Sequence, residues 1–239
     1  MLHIDNIRYR YHKEVFQFNV FIEAGSIVAL MGPSGAGKST LLALIAGFIH
    51  PESGNISVDE QSQLNKEPHL RPFAMLFQEH NLFSHLTVRE NIGLGLHPGL
   101  KLSEQQKEQV FAAAKQVGID AFLDRTPEKL SGGQRQRVAL ARCFVQPHRI
   151  WLLDEPFSAL DPILRGEMLT LVKQLAEERN ITVVMVTHHI SDAKAIATDF
   201  IFIDELQALI QAPVAKLNVQ HENEKLRAFV KAGVNDVER

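Results

Sequence analysis

One cysteine, Cys143, stands in a chain of 239 residues. An internal disulfide is therefore excluded, which fits a reducing compartment. Cys143 lies in an apolar-periodic stretch and reads as a small core residue rather than a nucleophile. No apolar run reaches the 18 or so residues that span a bilayer, so no membrane-crossing segment is expected. The start, Met1-Leu2-His3-Ile4-Asp5, lacks a basic stretch followed by an apolar one, so no signal peptide is expected. An excess of positive charge is also missing. The net charge is −3, which implies no basic face for nucleic acid. The 11 histidines are scattered and none forms a ligand pair beside paired cysteines, so no zinc site is read. Repeats and low-complexity tracts are absent. What remains is a chain 45% hydrophobic, long enough for one sizeable α/β core with a lobe attached.

Glycine is placed tellingly. Gly32-Pro33-Ser34-Gly35-Ala36-Gly37-Lys38-Ser39 reads G-x-x-x-x-G-K-S. It follows the apolar run Ile27 to Met31, which reads as a buried strand, and runs into Thr40 to Ala46, which reads as a helix. That context turns a pattern into a phosphate-binding loop. The glycines let backbone N–H groups curl toward phosphate oxygens, and the helix start adds partial positive charge. Lys38 is placed to reach β- and γ-phosphates, and the Ser39 hydroxyl to hold Mg²⁺.

A second glycine string, Leu130-Ser131-Gly132-Gly133-Gln134, precedes an apolar-periodic helix carrying Val138, Ala141 and Val145 on one face. Two readings fit Ser131 to Gly133: a second anion site at a helix start, or an ordinary serine cap. The run Ile150-Trp151-Leu152-Leu153-Asp154-Glu155 then reads as a buried strand ending in two carboxylates. Apolar residues continue right up to the acids, which argues against a solvated edge. Asp154 is expected beside the Mg²⁺ on Ser39, and Glu155 toward the water that attacks the γ-phosphate.

The organisation is coarse but legible. Strands surround the glycine loop from Leu2 to about Phe77, with Glu60 to Arg71 a polar loop. Helical signals dominate from about Thr87 to Val145, including a capped helix from Ser103-Glu104-Gln105-Gln106. Strand and helix alternate again after Ile150, and a polar tail is expected past His221. The alternation predicts an α/β core with parallel strands and an inserted helical subdomain.

With these elements in this order, the chain resembles the ATP-binding subunits of ABC transporters over most of its length. Tyr11 matches the aromatic residue that stacks on adenine, with Tyr9 close enough to compete for the part. Gly32 to Ser39 match Walker A, with Thr40 completing the loop's nucleotide contacts. Gln78 matches the Q-loop glutamine near the metal, and Leu130 to Gln134 match the signature. Asp154 closes Walker B, Glu155 matches the catalytic glutamate, Ser158-Ala159-Leu160-Asp161 the D-loop, and His188 the switch histidine. The resemblance implies a P-loop ABC-type domain over residues 1–239. Its catalytic core would cover 1–86 and 146–239, and its helical subdomain 87–145. It further implies ATP and Mg²⁺ as cofactors and a head-to-tail homodimer in which Ser131, Gly132, Gly133 and Gln134 face the partner's nucleotide. Catalysis would fall to Glu155, His188 and Gln78, with Ser39, Gln78 and Asp154 around the metal.

The stretch from Gln78 to Leu96 is similar to that of ABC importers, where it meets a short helix of the membrane subunit. Leu82, Phe83 and Leu86 are then apolar contacts for that helix, or else core residues of the helical lobe. Asn81 to Val88, Asn91 to Leu96 and Pro98 to Leu102 resemble the ATPases of bacterial thiamine importers. This implies a peripheral subunit on the cytoplasmic face of the inner membrane, paired with integral membrane permease subunits and served indirectly by a periplasmic solute-binding protein. Importers of ferric ion or polyamine share this build, and a soluble non-transport ABC ATPase shares the nucleotide motifs. Two departures stand out. His189 follows the switch histidine where the family usually has Asp. Asp204-Glu205-Leu206-Gln207-Ala208 lacks the usual glycine turn, which predicts a looser or longer hairpin.

Overall fold

A computed structural model describes residues 1–235. The strands are β1 (Leu2–Tyr11), β2 (Glu14–Ile22), β3 (Ile27–Met31), β4 (Ser53–Val58), β5 (Gln61–Ser62), β6 (Phe73–Leu76), β7 (Ile150–Asp154), β8 (Thr182–Val186), β9 (Asp199–Asp204) and β10 (Gln207–Pro213). The helices are α1 (Lys38–Ala46), α2 (Val88–Gly93), α3 (Glu104–Gln116), α4 (Gly132–Phe144), α5 (Pro162–Arg179), α6 (Ile190–Ile196) and α7 (Glu224–Asn235). Among the described residues no helix is long and apolar enough to cross a membrane.

The strands form one ten-stranded sheet in the order β5-β4-β1-β2-β10-β9-β3-β8-β7-β6. From β9 to β6 every neighbouring pair is parallel. Strands β3, β7 and β8 are buried at every position, which is why they read as unbroken apolar runs instead of alternating ones. Ala29, Met31, Trp151 and Leu153 face a core shared with α2 to α7. Val28, Leu30, Ile150 and Leu152 face the opposite core, with α1 and the β1–β2 hairpin. Cys143 is completely buried in the first core, and burial pushes its thiol up to about 12, so it is inert at neutral pH.

Four expectations are corrected. The segment 60–71 is not a plain loop. It contains β5 and a 3₁₀ turn at Pro68–Leu70, and it ends in Arg71, which is 1% exposed. Arg71 donates to Leu44 O (3.0 Å), Ile45 O (2.8 Å) and Lys66 O (3.1 Å), so it closes the C-terminal end of α1. Where a polar tail was expected past His221, Glu224–Asn235 form α7, which buries Leu226 and Val230 and sets Phe229 against Phe202; the rest of that tail, 236–239, lies outside the described residues. The β9–β10 hairpin is neither loose nor long. Asp204 pairs directly with Gln207, and Glu205 and Leu206 take φ of +47° and +63°, a two-residue type I′ turn built without glycine. Lastly, Lys38 and Ser39 already belong to α1, whose start was expected at Thr40.

Candidate functional site

Four loops leave the C-terminal ends of β3, β6, β7 and β8, which are consecutive strands of the parallel sheet. An open α/β sheet places its ligand site at such an edge. Adjacent strands lie about 4.8 Å apart, so residues far apart in sequence are brought side by side. Met31 feeds Gly32, Leu76 leads to Gln78, Asp154 to Glu155, and Val186 to His188. Registration is tight: Leu76 pairs with Leu153 and Asp154 with Val186, while Glu155 N donates to Val186 O (3.2 Å) and Thr187 N to Leu30 O (3.3 Å).

The glycine loop needs its glycines. A Cβ on Gly32, at φ +145°, would lie 1.9 Å from Ile203 O on β9. One on Gly37, at φ +106°, would lie 2.8 Å from the Phe16 ring. Gly37 is the N-cap of α1 and supplies no side-chain hydrogen bond, and no acidic residue occupies the first turn. The start of α2, α3 and α4 is each closed by a serine or threonine capping box, and that of α5 by Asp161. The open start of α1 therefore keeps its N–H groups for an anion. Lys38 is buried and donates from Nζ to Gly32 O (2.9 Å) and Pro33 O (2.7 Å), folded back over the loop. Burial lowers its ammonium from the ordinary lysine range, against the pull of Glu155 and Asp154.

Asp154 is 6% exposed, and its Oδ1 has no hydrogen-bond partner. Burial raises its carboxyl. The hydrogen bond from Ser39 opposes this shift and the Glu155 charge adds to it. A buried, half-partnered carboxylate beside a hydroxyl suits a hard cation that takes its remaining ligands from phosphate and water. No cluster of three or more His, Cys, Asp or Glu able to form an all-protein cage occurs among the described residues.

Gln78, Glu155 and His188 converge on one carboxylate. His188 Nε2 lies 2.7 Å from Glu155 Oε1, and Gln78 Nε2 donates to Glu155 Oε2 at 3.3 Å. Glu155 itself sits at φ +49°, in the left-handed region. Such a conformation persists in a non-glycine residue only where surrounding bonds hold it.

Ser131 is the N-cap of α4. Its hydroxyl accepts from Gln134 N (3.3 Å) and its N–H donates to Gln134 Oε1 (2.8 Å), so the cap is real. The box leaves Gly132 and Gly133 at the open end of the first turn. The two rings near the start of the chain separate clearly. Tyr11 is 56% exposed at the tip of β1, whereas Tyr9 is half-buried against Phe16. In the loop after Gln78, Leu82 and Leu86 are half-buried and Phe83 is exposed. That loop hangs on buried Asn91, whose amide donates to Phe83 O, Leu86 O and Thr87 O.

Sequence reasoning missed several residues that hold this site. Gln136, from α4, reaches the turn after β7. Arg142 donates to His80 O (2.8 Å) and Asn81 O (2.9 Å), bracing the loop that carries Gln78. Asp192 is 2% exposed; it accepts from Thr187 Oγ1 at 3.2 Å and lies 3.3 Å from Arg165 Nε. It thereby ties the turn before His188 to α5. A polar residue in an otherwise apolar helical stripe was the available signal for Gln136. His189 is exposed, and its backbone N–H donates to Thr187 Oγ1.

A family model described as ABC transporter matches residues 15–158. The thiamine import ATP-binding protein ThiQ of Vibrio parahaemolyticus is 66% identical over 97% of this chain and 99% of its own length. That of Vibrio cholerae is 64% identical over 99% of both. The same-named protein of Shigella flexneri is 56% identical over 83% of this chain and 85% of its own. Among solved structures, the dimeric bacterial ABC transporter cassette MJ0796 superposes with a TM-score of 0.82 at 30% identity, covering 90% of this chain and 99% of that one. Its dimeric post-hydrolysis state bound to ADP and Pi gives 0.81 at the same identity and coverage.

Proposed function

Because this chain belongs to the family of ABC transporter ATP-binding proteins, we propose that it hydrolyses ATP to drive thiamine import. The observation that carries the chemistry is the meeting of Gln78, Glu155 and His188 at the edge that also holds the glycine loop. The cargo rests on relatives named for thiamine import that match nearly the whole chain.

The nucleotide's phosphates would lie on the backbone N–H groups that the loop from Gly32 to Thr40 offers, all but Pro33, and its adenine on the exposed Tyr11 ring. Lys38 leaves the carbonyls of Gly32 and Pro33 for the β- and γ-phosphates. Ser39, Asp154 and Gln78 are the residues that would hold Mg²⁺, which would neutralise phosphate charge there. Glu155 takes or polarises the proton of the attacking water, a role worth about 10²–10⁴-fold. His188, 2.7 Å from that carboxylate, contacts the γ-phosphate and registers its departure. Water adds to the γ-phosphorus, the bond to the bridging oxygen breaks, and ADP and phosphate leave.

Residues 1–86 and 146–239 act as the catalytic core and 87–145 as the helical subdomain. The first turn of α4, Ser131 to Gln134, whose capping box leaves the Gly132 and Gly133 N–H groups free, meets the nucleotide of a second copy, so two ATP molecules close a head-to-tail dimer. The loop from Leu82 to Leu86 receives a helix of the permease subunits, at the cytoplasmic face of the inner membrane. Closure bound to ATP and opening after hydrolysis then bias the permease between states. A periplasmic binding protein supplies the cargo. The test is hydrolysis by the reconstituted transporter in liposomes. Stimulation by thiamine-loaded binding protein supports the proposal; stimulation by a ferric or polyamine system instead would refute the cargo.

A further inference from the structure

Gln136 is completely buried in α4, on the stripe that also carries Ala139, Leu140 and Cys143. A buried amide is costly unless both its ends are bonded. Here both ends are used on one turn. Nε2 donates to Glu155 O at 3.0 Å and lies 3.4 Å from Ser158 Oγ, while Oε1 accepts from Ala159 N at 3.0 Å. The Glu155 backbone is thus pinned on two sides, by β8 through its N–H and by α4 through its carbonyl. These bonds hold a residue whose φ of +49° is otherwise disfavoured. The same helix presses its N-terminus on the same turn, since a Cβ on Gly133 would lie 3.0 Å from Ala159 O.

We infer that Gln136 is a positioning residue that aims the Glu155 carboxylate and ties that aim to the seat of helix α4. The inference rests on the assignment of Glu155 as the group acting on water. Both ends of the Gln136 amide are spent on the turn after β7, so it acts through the Glu155 backbone. A shift of α4, such as a partner's nucleotide at Ser131 would impose, reaches the Glu155 carbonyl directly through this side chain, beside the packing of Gly133 on Ala159.

The test is a double-mutant cycle on the full chain. Gln136→Met keeps the length of the side chain and removes its hydrogen bonds. We expect kcat for ATP hydrolysis to fall about tenfold or more, with KM for ATP within about twofold, because misaiming a reacting group costs rate and the glycine loop is untouched. In a Glu155→Gln background the same substitution should lower the residual rate by less than about twofold, because the route it disturbs is already gone. Gln136→Glu keeps the acceptor for Ala159 N and loses the donor to Glu155 O, and it should be as slow as Gln136→Met. Where Gln136→Met does not fold, the cycle is run with Gln136→Glu. Wild-type kcat in Gln136→Met, recovery in Gln136→Glu, or an equal loss in both backgrounds would overturn the inference. If Glu155→Gln itself hydrolyses at the wild-type rate, the assignment of Glu155 fails. A slow Glu155→Gln beside an unaffected Gln136→Met refutes only the role of Gln136.

Discussion

Replacing Glu155 by glutamine changes the charge at the centre of the site and little else. The amide has the size of the carboxylate, and its oxygen can still accept from Gln78. The backbone bonds to Val186 and Gln136 are independent of the side chain. What is lost is a carboxylate that can take a proton, 2.7 Å from His188. Loss of a general base costs about 10²–10⁴ in rate, equivalent to about 3–5 kcal/mol on the barrier. Nucleotide affinity should move the other way or not at all. The Gly32 to Thr40 loop is unchanged, and a negative charge near Lys38, which faces both Glu155 and Asp154, has been removed. The variant should therefore bind ATP at least as tightly as wild type, hydrolyse it at least about a hundredfold more slowly, and accumulate as an ATP-bound dimer. Phosphate release and size-exclusion chromatography with and without ATP read all three. Turnover near wild type, with a monomer in ATP, would refute the assignment of the base.

Other outcomes follow from neighbouring residues. Ser131→Arg, placed in the Glu155→Gln background, should bind ATP as a monomer and fail to dimerise; loss of binding by the monomer would mark that helix start as needed for folding instead. Asp154 has a carboxyl raised chiefly by burial. A raised folded pKa favours the fold when the group is protonated, and that contribution disappears as pH rises through it. Asp154→Asn should therefore melt above wild type at pH 7.5 without nucleotide, lose that advantage below the ordinary carboxylate range, and be inactive with Mg²⁺; a lower melting temperature at pH 7.5 would contradict this. Arg71→Met removes three hydrogen bonds to backbone carbonyls, two of them at the end of α1. It should cost about 2–4 kcal/mol and lower Tm by about 5–12 °C; a shift under about 2 °C would show that water replaces the guanidinium.

Much of this arrangement was legible because short-range rules carry it. The buried strands β3, β7 and β8 announce themselves as apolar runs, and the glycine loop is marked by residues that must adopt unusual backbone or approach a neighbour closely. The Ser103–Gln106 capping box of α3 is likewise a local signal. What escaped depends on distant partners. Helix α7 is charged and short, and it is amphipathic to a purpose only because Phe202 and Ile190 offer it a surface. Arg71 reads as loop until α1 places two carbonyls against it. Gln136 interrupts an apolar stripe of α4, but what it bonds is not readable until the turn after β7 arrives beneath it. The tight β9–β10 turn escaped for another reason: Glu205 and Leu206 accept a left-handed backbone that sequence preferences assign to Asn and Gly, at a cost of about 1–2 kcal/mol per residue.

The most direct test of the whole account is uptake of labelled thiamine by cells deleted for this chain and lacking another thiamine route. Complementation with wild type should restore uptake, and complementation with Lys38→Ala should not, because the lysine that reaches the phosphates is gone. Rescue by both, or unimpaired uptake in the deletion strain, would contradict thiamine import driven by ATP at this site.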